Sequence, residues 1–294
     1  MSFGDCGDFA EGFAPVEIGK KWGFINQAGE IKIQPLFDEC RWSFSGGLAA
    51  VRVGNNWGYI NTQGEFVIPP RLEYAHSFTE DRAVILVDGE KHAVIDKSGV
   101  PLTDLFDGSG WSFSEGLLEV ERDGKWGFID AQGQTAIAFQ FHRALGFKDG
   151  LAAVELKDEK NNWGFIDHTG KLVIPAQYQE AGYFGEGLAP VEVDFKYGYV
   201  DRSGALAIKP IFDYAYTFSD GRALIIQNEK YGFIDPSAKF VVDAKYEMNL
   251  PFQNGLAAVS HGSWHHVENS SDFAWPSYDG KWSYIDTTGK IVWE

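Results

Sequence analysis

At 294 residues, with 44% hydrophobic and 23% charged positions and with 23 Phe, 12 Tyr and 10 Trp, the chain can bury a core and is not a disordered tail. Its 42 Asp and Glu against 25 Lys and Arg leave a formal net charge of −17, which repels phosphate backbones and anionic lipid, so neither nucleic acid nor membrane is an expected partner. No apolar run approaches the ~20 residues that span a bilayer, and the start, MSFGDCGDFAEGF, lacks the basic and apolar regions of a signal peptide, so the expected location is cytoplasmic.

Read in chain order, two strings alternate. The first is an aromatic, a turn and a small-apolar strand: FAEGFAPV from Phe9, FSGGLAAV from Phe44, FSEGLLEV from Phe113, FKDGLAAV from Phe147, FGEGLAPV from Phe184 and FQNGLAAV from Phe252, with weaker copies at Phe78 and Phe218. The second is aromatic-Gly-aromatic-aliphatic-Asn/Asp, starting at Trp22, Trp57, Trp126, Trp163, Tyr197 and Tyr231, with degraded copies HAVID from His92 and WSYID from Trp282. Successive spacings of the second string are 35, 35, 34, 37, 34, 34 and 51 residues, so eight repeats fill the chain.

Each repeat reads as an antiparallel β-meander, because its apolar runs are short and every gap carries turn chemistry. Asn26, Asn61, Asp96, Asp130, Asp167, Asp201, Asp235 and Asp286 end the central strands, and Gly follows three residues later in every case except Ala238. That spacing fits a turn in which the Asx side chain bonds its own backbone and Gly accepts a positive φ. A short additional strand is expected where an aromatic or Leu, a small residue and Phe recur, as at Leu72, Ala75 and Phe78. Cys6 and Cys40 stand at the small position, so both are expected to be buried core residues rather than ligands.

Along a central strand such as Trp57–Gly58–Tyr59–Ile60, both faces are apolar. The expected architecture is therefore all-β: eight ~34-residue antiparallel meanders stacked face to face in one domain over 1–294, with Gly and Ala giving close approach between neighbouring repeats. A closed propeller-like ring is favoured over an open β-solenoid, because the N-terminal segment 3–9 could complete the last sheet. The two copies lacking the aromatic-Gly pair, at His92-Ala93 and Trp282-Ser283, are expected to pack less regularly.

On the strings WGFIN, WGYIN and WGFID, with the trailing GEIKIQP, GEFVIPP and GKLVIP, the chain resembles the bacterial WG-repeat (KWG) family over nearly its whole length. The resemblance implies a β-rich repeat protein and assigns no general activity.

Function has to be sought where the repeat is broken. Val259 and Trp282 lie 23 positions apart where Val51 and Trp57 lie 6 apart, which makes 260–281 an insertion in the last repeat. It holds Trp264, His265, His266 and Trp275, a polar and aromatic set suited to binding; adjacent His265-His266 are not a standard ligand spacing, so no metal site is assigned. The acidic turn residues Glu11, Glu80, Glu115, Asp149, Glu186 and Asp220 would align along one rim, with Glu115 and Glu186 as candidate contacts to a basic protein partner. Trp42, Trp111, Trp264, Trp275 and Trp293 fall outside the repeated Trp position and are the better surface candidates. No P-loop, nucleophile elbow, H-E-x-x-H or C-x-x-C is present. The expected function is a non-enzymatic scaffold for protein–protein interaction, without cofactor, that works through loops and an acidic rim. The alternative is a glycan or cell-wall ligand module using exposed Trp.

Overall fold

The computed structural model describes residues 5–40, 42–87, 89–157, 163–261, 264–265, 277–278 and 281–293. Among them every regular element is a β-strand, and the paired strands run antiparallel. The chain divides into two compact halves, 1–147 and 148–294, each built from successive meanders. In the first half the second repeat is representative: strands Leu48–Val53, Asn56–Asn61 and Phe66–Leu72 form one sheet in chain order. Its counterpart in the second half consists of Leu188–Val193, Lys196–Asp201 and Leu206–Phe212.

The Asx turns form as their spacing predicts. Asn61 Oδ1 accepts from Gln63 N at 3.0 Å and Glu65 N at 3.0 Å, while Gly64 N donates to Asn61 O at 2.9 Å. The fourth position has a φ of 82° at Gly64, a conformation that Ala238 must also adopt at 64°.

The glycine of the aromatic-Gly pair serves a different purpose from the expected one. A Cβ on Gly58 would lie 2.6 Å from Ile68 O, and one on Gly198 would lie 2.5 Å from Ile208 O, each within the residue's own sheet. The third strand bulges at this point, shown by register shifts between Trp57 and Tyr59 and between Tyr197 and Tyr199. Its backbone thus occupies the space that a side chain would need. For this glycine the close approach is inside the repeat; between neighbours it is the turn glycines that come close, a Cβ on Gly64 lying 3.1 Å from Ile33 Cγ2 and one on Gly204 3.1 Å from Ile174 Cγ2. Where Ala93 replaces the glycine, the following segment forms no regular third strand and is held by the isolated bridges His92–Phe106 and Ile95–Pro101 and by Leu102 N donating to Val94 O at 2.8 Å.

Neighbouring repeats do share cores within each half. Trp57, Tyr59 and Ile68 of the second repeat bury against Phe78, Ala83, Ile85 and Ile95 of the third. In the second half, Tyr199, Ile208 and Phe212 bury in the same way against Phe218, Ile225 and Ile234. Full burial of one such aromatic contributes about 2–3 kcal/mol, more than a lone three-stranded meander can recover from its own packing. The cysteines divide. Cys40 is buried beside Phe24, Phe37 and Phe44, and burial pushes its thiol up to about 12, with Sγ 3.2 Å from Trp42 O. Cys6 is exposed, contrary to expectation, because it stands outside the clusters that neighbouring repeats share.

Candidate functional site

The site begins with the short segments that precede the first long strand of each repeat. In the third repeat, Tyr74–Ala75 pairs with Arg82–Val87, and His76 N donates to Val84 O at 3.1 Å. Alternation puts Ala75 into the core and leaves Tyr74 and His76 on the opposite side. Tyr59 anchors this segment from the second repeat, its hydroxyl donating to His76 O at 2.6 Å. The corresponding segments of the second and fourth repeats are one residue longer and bring Trp42 and Trp111 to either side.

The rings form a continuous wall. Trp42 and His76 have centroids 5.6 Å apart, Tyr74 and His76 4.9 Å, and His76 and Trp111 4.6 Å. Behind them Trp57 packs on Tyr74 at 5.4 Å. Together with Ser77, Thr79, residues 84–86, His92 and Ser112, they enclose a cavity of about 760 Å³ in the first half. Its polar groups are few. His92 Nδ1 lies 2.6 Å from Ser109 Oγ, and burial holds the imidazole below its ordinary pKa, which favours the neutral ring. Thr79 Oγ1 accepts from Phe113 N at 2.9 Å. Trp111 remains 65% exposed, an indole held at the rim by its neighbours and not covered by them. Cavities of this size and apolar character are suited to taking up an organic group, with the few polar atoms setting its orientation.

The acidic turn residues have structural partners. Glu11 accepts from Gly46 N at 2.8 Å and Gly47 N at 2.9 Å, Glu80 from Gly116 N at 2.9 Å, and Asp149 from Gly187 N at 3.0 Å. Glu186 accepts from Gly221 N at 3.1 and 3.0 Å, and Asp220 from Gly255 N at 2.8 Å. Each carboxylate therefore holds the turn of the following repeat by charge-assisted hydrogen bonds. Glu115 occupies the same kind of turn, with a φ of 53° and an exposed side chain. Trp264–His265 is a two-residue strand paired with Ser277–Tyr278. His266 and Trp275 lie outside the described residues. The cavity thus gathers none of the six sites nominated from sequence. It does gather Trp42 and Trp111, two of the Trp residues that fall outside the repeat position, together with Tyr74, His76 and His92. A sequence signal existed for the two indoles: Trp-Ser-Phe occurs at 42–44 and again at 111–113, two repeats apart.

Buried Glu119 lies close to this wall. It occupies the strand position of Val84 one repeat later, where Gly110 and Gly146 leave room for its carboxyl. Burial pushes that carboxyl up to about 7, and Oε2 has no hydrogen-bond partner.

Seven segments, 2–22, 22–57, 57–90, 126–160, 163–196, 197–231 and 231–263, match the family model described as WG containing repeat. No curated protein has a matching sequence. Among solved structures, a eukaryotic initiation factor superposes with a TM-score of 0.63 at 12% identity, covering 96% of this chain and 84% of its own. The computationally designed protein Ika8 superposes with a TM-score of 0.56 at 12% identity, covering 86% and 91%. At these identities the likeness is one of fold.

Proposed function

The chain belongs to the WG-containing repeat family, and from that premise we propose that it is a non-catalytic scaffold that binds a protein partner, with the cavity of the first half receiving an apolar or aromatic side chain of that partner. The observation that carries this reading is the cavity wall. Trp42, Tyr74, His76 and Trp111 present ring faces and edges, and among the described residues no carboxylate, amide or guanidinium side chain lines the space. Sugar hydroxyls need such paired polar groups beside a stacking face, so the lining favours a peptide side chain over a glycan. A partially exposed indole beside a ready-made recess is also the kind of anchor that dominates protein interfaces. The net charge of −17 favours a basic partner and speeds its encounter.

A photo-crosslinking residue placed at Ser112, on the cavity lining, tests the proposal. Crosslinks should form to a protein partner and disappear when Trp42 and Trp111 are both replaced by Ala in a variant whose circular dichroism is unchanged. Crosslinks that survive the double replacement would remove the cavity from the interface. Saturable glycan binding, competed by free sugar and lost in the same variant, would favour the alternative.

A further inference from the structure

The second half carries a different surface at the positions that form the cavity wall in the first. Glu180 lies opposite Glu192 of the strand Leu188–Val193, next to the bridge Ala181–Val191, with Glu192 N donating to Glu180 O at 2.9 Å. Like charges in that relation destabilise a sheet. Burial, and then the charge of Glu180, push the Glu192 carboxyl above its ordinary range. Among the described residues, no cationic side chain pairs with either carboxylate.

Beside them stands a row of tyrosines. Tyr197 donates its hydroxyl to Glu180 Oε2 at 2.5 Å, which orients the carboxylate. Its ring centroid is 4.7 Å from that of Tyr214, which is 5.0 Å from that of Tyr216. Tyr214 is 40% exposed, so its ring is open to approach.

The second repeat shows what this arrangement accommodates. There the same two positions hold Glu39 and Arg52, joined by an isolated bridge in which Arg52 N donates to Glu39 O at 2.9 Å, as Glu192 N does to Glu180 O. Arg52 Nε donates to Glu39 Oε2 at 2.9 Å, and its Nη1 donates to Gly54 O at 2.6 Å. Trp57 stands where Tyr197 does, and Tyr74 where Tyr214 does. One repeat supplies its own guanidinium to the carboxylate and to the backbone of the adjoining turn. The other replaces the guanidinium with a second carboxylate and keeps the rings. The first repeat also faces two acids, Asp5 and Glu17, across its strands, but there Glu39 takes the place that Tyr214 holds, so the aromatic row is missing.

We infer that Glu180, Glu192, Tyr197, Tyr214 and Tyr216 form a binding site for an arginine side chain of a protein partner, the guanidinium lying between the two carboxylates and against the tyrosine rings. Arginine fits better than lysine because its planar fork can engage both carboxylates while stacking on a ring, and because arginine is the cation that the second repeat pairs with the carboxylate at this position. The inference rests on the protein-binding reading and adds a second contact, in the other half of the chain. Its failure is separable from that of the first, since its variants leave the cavity lining intact.

The experiment is a titration of the full chain, carrying labelled tyrosine rings, with capped Gly-Arg-Gly and with the same peptide containing citrulline, at low and at high salt. The arginine peptide should produce saturable shifts at Tyr197, Tyr214 and Tyr216 that weaken with salt, and the citrulline peptide should produce none. Glu180→Gln with Glu192→Gln should weaken binding by about tenfold or more. Glu192→Arg should rebuild the ion pair of the second repeat, abolish peptide binding and leave the far-ultraviolet circular dichroism unchanged. Equal binding of the citrulline peptide, shifts spread over the acidic surface without those three rings, or full binding by a folded Glu192→Arg protein would each overturn the inference.

Discussion

The repeat containing Trp57 and the repeat containing Tyr197 share a backbone plan and differ in what they ask of the solvent. Both bury a ring beside a second aromatic, at 5.4 Å for Trp57 and Tyr74 and at 4.7 Å for Tyr197 and Tyr214. Both hold the next segment through a buried tyrosine hydroxyl, Tyr59 to His76 O at 2.6 Å and Tyr199 to Tyr216 O at 2.7 Å. In the first, Arg52 closes the charge of Glu39 internally and the rings continue into an apolar cavity. In the second, two carboxylates face each other beside tyrosines. The two repeats keep the same hydrogen-bond framework and differ in a few side chains beside it, so one fold presents unlike surfaces.

The most severe way to break the comparison is to attack what the two repeats share. Gly58→Ala and Gly198→Ala would each drive a Cβ into the third-strand carbonyl, at 2.6 and 2.5 Å, and should each cost about 3 kcal/mol, measured by urea unfolding. Equal losses at both sites would show that the bulge carries equal strain in both repeats. A loss below about 1 kcal/mol at either would mean that the third strand can move away.

Next in size is the slot at Glu119, where the first half replaces Val84 with an acid. Burial raises its folded pKa to about 7 from the ordinary 4.5 of a glutamate, so the native state binds more protons than the unfolded chain between those values. The stability associated with this proton is fully present below about pH 4.5 and is lost as pH rises through about 7, a change of about 3 kcal/mol. Glu119→Gln should remove that slope, and its advantage over the parent should grow from acid to neutral pH. Parallel stability–pH curves for parent and variant would rule the carboxyl out as the titrating group.

Smaller still are the hydroxyl anchors. Tyr59→Phe and Tyr199→Phe should each cost about 1 kcal/mol, with faster amide exchange in the following segment, because His76 O and Tyr216 O each lose a donor. The smallest effect belongs to Arg52→Gln. The Arg52 and Glu39 side chains are 30% and 25% exposed, so solvent screening limits the pair to under about 1 kcal/mol. The informative readout is comparative: Arg52→Glu should give the second repeat the acid pair of the sixth and a new salt-sensitive affinity for the arginine peptide.

The repeat period, the strand positions and the Asx turns were legible because each depends on residues close in sequence: Asn61 needs only the backbone of Gln63 and Glu65. The reason for the glycine was not legible, since its contact at Ile68 O lies ten positions away and follows from a bulge with no local signature. The acidic turns were read as a rim because sequence shows a charge and not its partner; Glu186 spends its charge on Gly221 N, 35 residues away. The cavity was missed for a related reason. Trp42 and Trp111 stand 69 positions apart, and only stacking of the repeats between them brings their segments onto His76.

By itself the sequence determined that this chain is a β-repeat protein with about 34 residues per repeat, because turn chemistry and alternation act over a few residues and recur without ambiguity. Only the tertiary structure decided which irregular side chains meet. Contacts between repeats depend on the register of stacked sheets, and in that register a one-residue lengthening at Trp42 or an acid in place of Arg52 changes which groups meet at the surface.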